Sequence, residues 1–333
     1  MMNTKSCTSK NDVDWVKEKE VIKSSKPILL TIWCLKHFPI FLLRFIIFCN
    51  AIFYHLFNKR AGRETGRFIN QLESFTNSKS QKNLSFRMVH SFAVTVTEKV
   101  ECWVNPSFVP KVRFQNDDVY PLINQLNENK GAFIMCSHLG NTEALRYLST
   151  INNIGLKKEV PIAVLMDLDT TSNFSNTIKS INPGFLDNII NVDNITPETI
   201  IRMQDIVDKG GMVVCAGDRI SKNPNSKYFR IPFLGKDAPF SYGPSLIASL
   251  INAPVYFMFG LKEKDSVFNS EYTFYVQKSK TSFSGQRRNR EMQMKSLTEE
   301  FATYLGNLCV KYPAQWYNFF DFWDFPETGI QVL

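Results

Sequence analysis

From residue 131 onward, short apolar runs alternate with polar stretches of helical length. Gly131–Cys136, Pro161–Met166, Asn188–Val192, Met212–Ala216 and Val255–Leu261 are too short for helices and predict strands. They are apolar at almost every position rather than at alternate ones, which marks strands covered on both faces. Asn141–Thr150, Ser172–Ile181, Pro197–Lys209 and Gly243–Ile251 predict the intervening helices. The third carries its own punctuation: Thr196 as cap, Pro197 in the first turn and Gly210-Gly211 as stop. Strands alternating with helices predict an α/β fold over about 120–280: a three-layer, mostly parallel sheet with helices on both faces. Glu271–Lys280 alternates apolar and polar and predicts an edge strand. Arg287–Lys311 predicts a long amphipathic helix, and the aromatic tail Trp316–Trp323 (WYNFFDFW) follows it.

The N-terminal part has another texture. Residues 1–26 are a polar tail without the short apolar core and cleavage site of a signal peptide. Residues 27–72 predict one or two apolar helices, read as a membrane-associated segment. Residues 83–104 predict another helix, and 73–333 form the α/β domain with its C-terminal helix and tail. Phe38–Phe57 (FPIFLLRFIIFCNAIFYHLF) has the length that crosses a bilayer, but it contains Arg44, Asn50 and His55. Three placements stay open: a helix lying in the membrane interface, a true span, and a helix buried in protein.

Charge sharpens this division. The net charge is +8. Residues 1–130 hold 19 Lys and Arg against 11 Asp and Glu, whereas residues 131–333 hold 20 of each. The excess lies beside the apolar segment, with Lys59, Arg60, Arg63 and Arg67 directly after it, and fits anionic lipid headgroups. Nucleic acid is excluded as a partner by the lack of any recognition motif or basic-aromatic ladder. Phe is abundant, at 28 residues, and suits either a core or a lipid surface. Seven Cys without C-x-x-C spacing argue against a disulfide framework or a zinc site. His37, His55 and His90 lack metal-ligand spacing.

The candidate chemistry sits at two strand ends. Ser137-His138-Leu139-Gly140-Asn141-Thr142-Glu143 follows the first strand and opens a helix, and sites in open α/β sheets form beyond the carboxyl ends of strands. His138 on the loop and Glu143 in the first helical turn can meet if Gly140 makes a tight turn and Asn141 caps the helix. His138 would act as a general base, Glu143 would fix its tautomer, and N–H groups at the helix start would hold an oxyanion. The bland alternative is a capping His and a surface Glu. Gly217-Asp218-Arg219 ends another strand. Arg219 suits a phosphate, and Asp218 could orient Arg219 or the His; a structural ion pair is the alternative. Cys136, sharing a strand face with His138, reads as a buried strand residue rather than a nucleophile. No G-x-S-x-G supplies the nucleophile that a hydrolase would need. A basic start at Arg287, Arg288 and Arg290 reads as a solvated helix end or an acidic carrier's docking point.

CSHLGNTEALR (136–146), AGDRI (216–220), IPFLG (231–235), APFSYGPSLIASL (238–250) and APVYF (253–257), in this order, resemble the lysophospholipid acyltransferase superfamily, in the branch of the late acyltransferases of lipid A biosynthesis. The tail WYNFFDFW resembles a predicted acyltransferase sub-branch of bacterial lipid and pigment loci. The resemblance implies acyl transfer from an acyl carrier protein or coenzyme A thioester, without metal or other cofactor, at the cytoplasmic face of the inner membrane. By motif it implies His138 and Glu143 as the catalytic pair. It places Gly140, Asn141, Asp218, Arg219, Tyr242 and Gly243 around the substrate. The chain departs from the lipid A enzymes in two places: Thr142 stands where an aromatic is usual, and Asp218-Arg219 where Asp-Gln is usual. The implied acceptor therefore extends to other lipids, amino-acid lipids or aryl-polyene pigments.

Overall fold

The structure, a computed structural model, describes residues 26–104, 111–115, 118–142, 155–168, 176–177, 179–180, 189–220, 226–263, 271–283, 289–325 and 330–332. Four helices come first: α1 (Lys26–His37), α2 (Ile40–Phe57), α3 (Lys59–Thr76) and α4 (Leu84–Val104). Then follow β1 (Lys111–Phe114), α5 (Val119–Asn127), β2 (Ala132–Cys136), β3 (Ile162–Met166), β4 (Ile189–Asn191), α6 (Pro197–Asp208) and β5 (Met212–Ala216). The rest comprises β6 (Lys227–Phe233), β7 (Lys236–Ser241), α7 (Tyr242–Leu250), β8 (Val255–Leu261), β9 (Glu271–Lys278), α8 (Arg290–Lys311) and β10 (Ile330–Val332). All five apolar runs are strands. The predicted helix Asn141–Thr150 lies outside the described residues beyond Thr142, as does the 1–25 tail; of Ser172–Ile181 only two helical fragments are described.

Seven strands form one sheet in the order β1-β9-β8-β2-β5-β3-β4. β8, β2, β5, β3 and β4 run parallel, while β9 is antiparallel to β8. Alternate side chains divide between two cores. Ala132, Ile134 and Cys136 join Leu122 and Leu126 of α5 on one face. Phe133 and Met135 join Met203 of α6, Ala248 of α7 and Phe301 of α8 on the other. Helices therefore cover both faces, which is why these strands read as unbroken apolar runs.

One expectation is corrected. Glu271–Lys278 is not an edge strand, because β1 pairs with its far side. Its alternation came from Thr273 and Tyr275, which are buried; these amphipathic side chains tolerate both environments. β6 and β7 form a hairpin outside the main sheet, completed by β10. Its turn places Leu234 and Gly235 at positive φ, the conformation of a tight two-residue hairpin.

The N-terminal segment holds two apolar helices, α1 and α2, as expected, and a third, amphipathic one, α3, which runs on to Thr76. α2 buries only Leu43, Ile47 and Ala51, one residue per turn, against α4. Its remaining aromatic surface is open: Phe41, Phe45, Phe53 and Phe57 are each more than 60% exposed. Burial of the whole helix in protein is therefore not what the chain does. α3 is strongly amphipathic and closes back on the domain through Phe68, which packs on Trp316. Arg67, expected at a headgroup surface, pairs instead with Glu64 and with Asp321 of the tail.

Candidate active site

The site begins with strand register. In the parallel pair β2–β5, Ala132 faces Met212 and Cys136 faces Ala216, a constant offset of 80. Two residues beyond each strand end stand His138 and Asp218. The register alone thus puts them side by side, where open α/β sheets form their sites. Asp218 holds His138 twice. Its Oδ1 lies 2.9 Å from Nδ1 of the ring, and its Oδ2 accepts the backbone N–H of His138 at 2.9 Å. With Nδ1–H given to the carboxylate, Nε2 is left as the basic nitrogen.

The two residues differ in exposure. The Asp218 side chain is 2% exposed, whereas 39% of the His138 side chain is open. Crowding around the rest of the ring lowers the His138 pKa below its ordinary 6.5. Arg219 lowers it further, Asp218 raises it in opposition, and Lys99 of α4 adds to the lowering. Burial alone would raise the Asp218 carboxyl. His138, and then Arg219, outweigh that and hold it below its usual range. Asp218 is therefore a carboxylate, and His138 is a neutral base at neutral pH.

The turn after His138 is tied down residue by residue. Leu139 N–H donates to Ser137 Oγ at 3.0 Å, Gly140 N–H to the Gln315 carbonyl at 2.8 Å and Asn141 N–H to the Gly260 carbonyl at 2.9 Å. Gly140 has φ +78°, and a Cβ there would meet the Gly260 carbonyl oxygen at 2.2 Å. No other residue fits this crossing. With the His138 N–H on Asp218, the N–H groups of residues 138–141 are all engaged. Of the expected helix start, the Asn141 N–H is thus already spent on the Gly260 carbonyl.

The aromatic tail belongs to the site, which the sequence did not reveal. Trp316, fully buried, donates Nε1–H to Asp218 Oδ2 at 3.4 Å. Tyr317 N–H donates to the His138 carbonyl at 3.0 Å, and Leu139 and Trp316 form an antiparallel bridge. The Tyr317 carbonyl accepts from Arg219 at 3.1 Å, and the Arg219 guanidinium lies over Phe320, 4.7 Å from its centroid. Lys99, also unforeseen, donates to Thr142 Oγ1 at 3.2 Å. Only the density of aromatics near the C-terminus hinted at the tail's part; Lys99 left no signal.

The other expected residues divide. Asn141 is buried, its amide donating to Tyr272 at 3.0 Å. Tyr242 and Gly243 open α7; Tyr242 packs against Phe229 and under Lys227, not against His138 or Asp218. Burial, with Glu291 nearby, raises the Tyr242 pKa. Glu143 lies outside the described residues. Among the described residues it is Asp218 that meets His138 Nδ1. Among the described residues no His, Cys, Asp and Glu cluster has the makings of a metal site.

Against known families, the pattern of bacterial lipid A biosynthesis acyltransferases matches residues 28–323. The chain belongs to this family. It is therefore an acyltransferase, and the family's acceptor is of a lipid type. The match takes in α1 through the end of the aromatic tail, so the helices before the sheet and the tail against Asp218 are both parts of the family's pattern. No curated protein matches this acyltransferase.

Proposed function

We propose that this acyltransferase moves a fatty acyl group from an acyl carrier protein or coenzyme A thioester to a hydroxyl or amine of a lipid-type acceptor, with His138 as general base. The observation that carries the reading is the double hold of Asp218 on His138, which leaves one basic nitrogen at an open edge of the site. Nε2 takes the proton of the acceptor as its oxygen or nitrogen attacks the thioester carbonyl. The tetrahedral intermediate collapses, the carbon–sulfur bond breaks, and the imidazolium returns the proton to the leaving thiolate. Asp218 stabilises the imidazolium during the interval. Glu143, the second half of the family motif, adds a further carboxylate to that stabilisation. Arg219 and Lys99, whose charges reach His138, favour an anionic group on the donor arm or the acceptor.

The same reading sets the protein on the cytoplasmic face of the inner membrane. The open aromatic side of α2, with Leu30 and Trp33 of α1 also exposed, lies in the bilayer interface or enters it. This brings a lipid acceptor to the protein without its leaving the membrane.

The test incubates full-length protein with radiolabelled acyl carrier protein, or with labelled acyl-coenzyme A, and vesicles of bacterial lipid. Label in a lipid product, lost in His138→Ala with folding intact, supports the proposal. Release of free fatty acid alone would make the protein a hydrolase, and undiminished transfer by His138→Ala would remove the base.

A further inference from the structure

A buried polar chain, which takes no part in the chemistry above, ends on the turn next to His138. It starts at Glu98, in the interior of α4. One carboxylate oxygen of Glu98 accepts from Nζ of Lys262, just past β8, and the other from the hydroxyl of Tyr272 on β9. Glu98, Lys262, Tyr272, Asn141 and Gln315 are all more than nine-tenths buried. One arm runs from Glu98 to Tyr272, whose hydroxyl accepts from the Asn141 amide at 3.0 Å. The other runs from Glu98 to Lys262. The backbone N–H of Lys262 donates to Gln315 Oε1 at 2.9 Å, and its carbonyl accepts from Gln315 Nε2 at 2.6 Å. The Gln315 carbonyl then takes the Gly140 N–H at 2.8 Å. Two routes thus leave one carboxylate and arrive on adjacent residues, Gly140 and Asn141.

The same face of α4 also holds the other side of the turn. Ser91 and Thr95, seven and three residues before Glu98, meet the Tyr317 hydroxyl at 2.9 and 2.7 Å. Tyr317 in turn donates its backbone N–H to the His138 carbonyl. A buried ion pair is a poor source of stability, because desolvating both charges consumes most of their attraction. What this one supplies is a fixed geometry. A carboxylate with two donors on it, and a phenol that donates once and accepts once, leave each group a single arrangement.

We propose that Glu98 is a positioning residue for the acyl transfer: through Tyr272 and Lys262 it sets the Gly140–Asn141 turn, and with it the placement of His138 Nε2 against the reacting carbonyl. This rests on the reading of the site as an acyl-transfer centre.

The test compares Glu98→Gln with the double variant Glu98→Gln/Lys262→Met in the full chain, by thermal melting, steady-state kinetics and amide hydrogen exchange. The single variant leaves a buried ammonium poorly paired and should melt lower; the double removes both charges and should recover much of that loss. Because misplacing a catalytic group costs rate rather than affinity, kcat in the double should still be about tenfold or more below the parent, with KM within about twofold. Amides in the 138–142 peptide should exchange about tenfold faster, while the β2 peptide stays protected. A double variant with parental kcat, or with the turn as protected as in the parent, overturns the proposal. Should the parent show no acyl transfer, the functional reading fails and the exchange comparison alone decides the positioning role. Should the double variant not fold, Tyr272→Phe takes its place: faster exchange at the turn supports the proposal, and unchanged exchange overturns it.

Discussion

Asp218 grips His138 by two different atoms of the histidine, the backbone N–H and ring Nδ1, each at 2.9 Å. A carboxylate bound in this way fixes the position of the ring as well as its tautomer. Asp218→Asn should therefore lower kcat by about 10²–10⁴-fold, as loss of a histidine-orienting carboxylate does elsewhere, and leave KM little changed. Steady-state kinetics on purified enzyme check the split; a variant with parental kcat would deny Asp218 the role.

The acidity of His138 gives a second expectation, and its sign is set. The base works only when neutral, so activity falls as pH drops through its pKa, which lies below 6.5. Activity should be level at neutral pH and decline only in the acid range. Asp218 raises this pKa and Arg219 lowers it. In Asp218→Asn the acid limb should therefore move to lower pH on the residual activity, and in Arg219→Gln it should move up. Profiles of kcat/KM against pH distinguish the two; shifts in the same direction would contradict the arrangement.

Gly140 and Gly62 make a matched pair. At Gly140 a methyl would meet the Gly260 carbonyl at 2.2 Å, on a backbone with φ +78°, whereas at Gly62 nothing lies within 4 Å. Gly140→Ala should destabilise by about 2 kcal/mol or more and abolish activity, since both strain and overpacking oppose it. Gly62→Ala, inside α3, should be neutral or stabilise by up to about 1 kcal/mol. Thermal melts of the two proteins test the contrast.

Trp316→Phe keeps an aromatic ring among Phe68, Phe233 and Phe322 but removes the Nε1–H that reaches Asp218. A loss of about 1–2 kcal/mol in stability is expected from the missing bond and the smaller ring, with kcat reduced several-fold. An unchanged kcat would mean that the tail does not steady the carboxylate.

On α2, the buried and open sides should respond oppositely. Phe45→Ser with Phe53→Ser, both well exposed, should leave the melting temperature nearly unchanged and weaken sedimentation with anionic vesicles. Leu43→Ala, on the side against α4, should cost about 2–5 kcal/mol and leave vesicle binding intact in the folded fraction.

Much of this fold is legible in the sequence because doubly covered strands must be apolar at every position, and all five such runs are strands. The reading failed where residues are chemically two-sided. Thr273 and Tyr275 mimic the polar half of an edge strand while lying buried in β9. The hairpin β6–β7 was also unforeseen, since its turn is Leu234-Gly235 rather than a familiar Asn-Gly. At the site, His138 and Asp218 were each visible as polar groups at strand ends. Their contact was one of two options for Asp218, and choosing it depends on which strands become neighbours. Lys99 arrives from about forty residues before the turn, and Gln315 and Trp316 from more than 170 after it. No local pattern encodes such a meeting; only the closed tertiary structure brings them to one place.

The dependence of the catalytic turn on Gln315, Trp316 and Tyr317 has a consequence for biosynthesis. Chains are made from the N-terminus and fold as they emerge. The greasy helices α1 and α2 are therefore outside the ribosome long before the residues that clamp His138 exist. A nascent chain can settle its apolar helices while its chemistry is still unassembled, so that competence to transfer waits until residues 315–317, more than 250 positions downstream of α2, have been made.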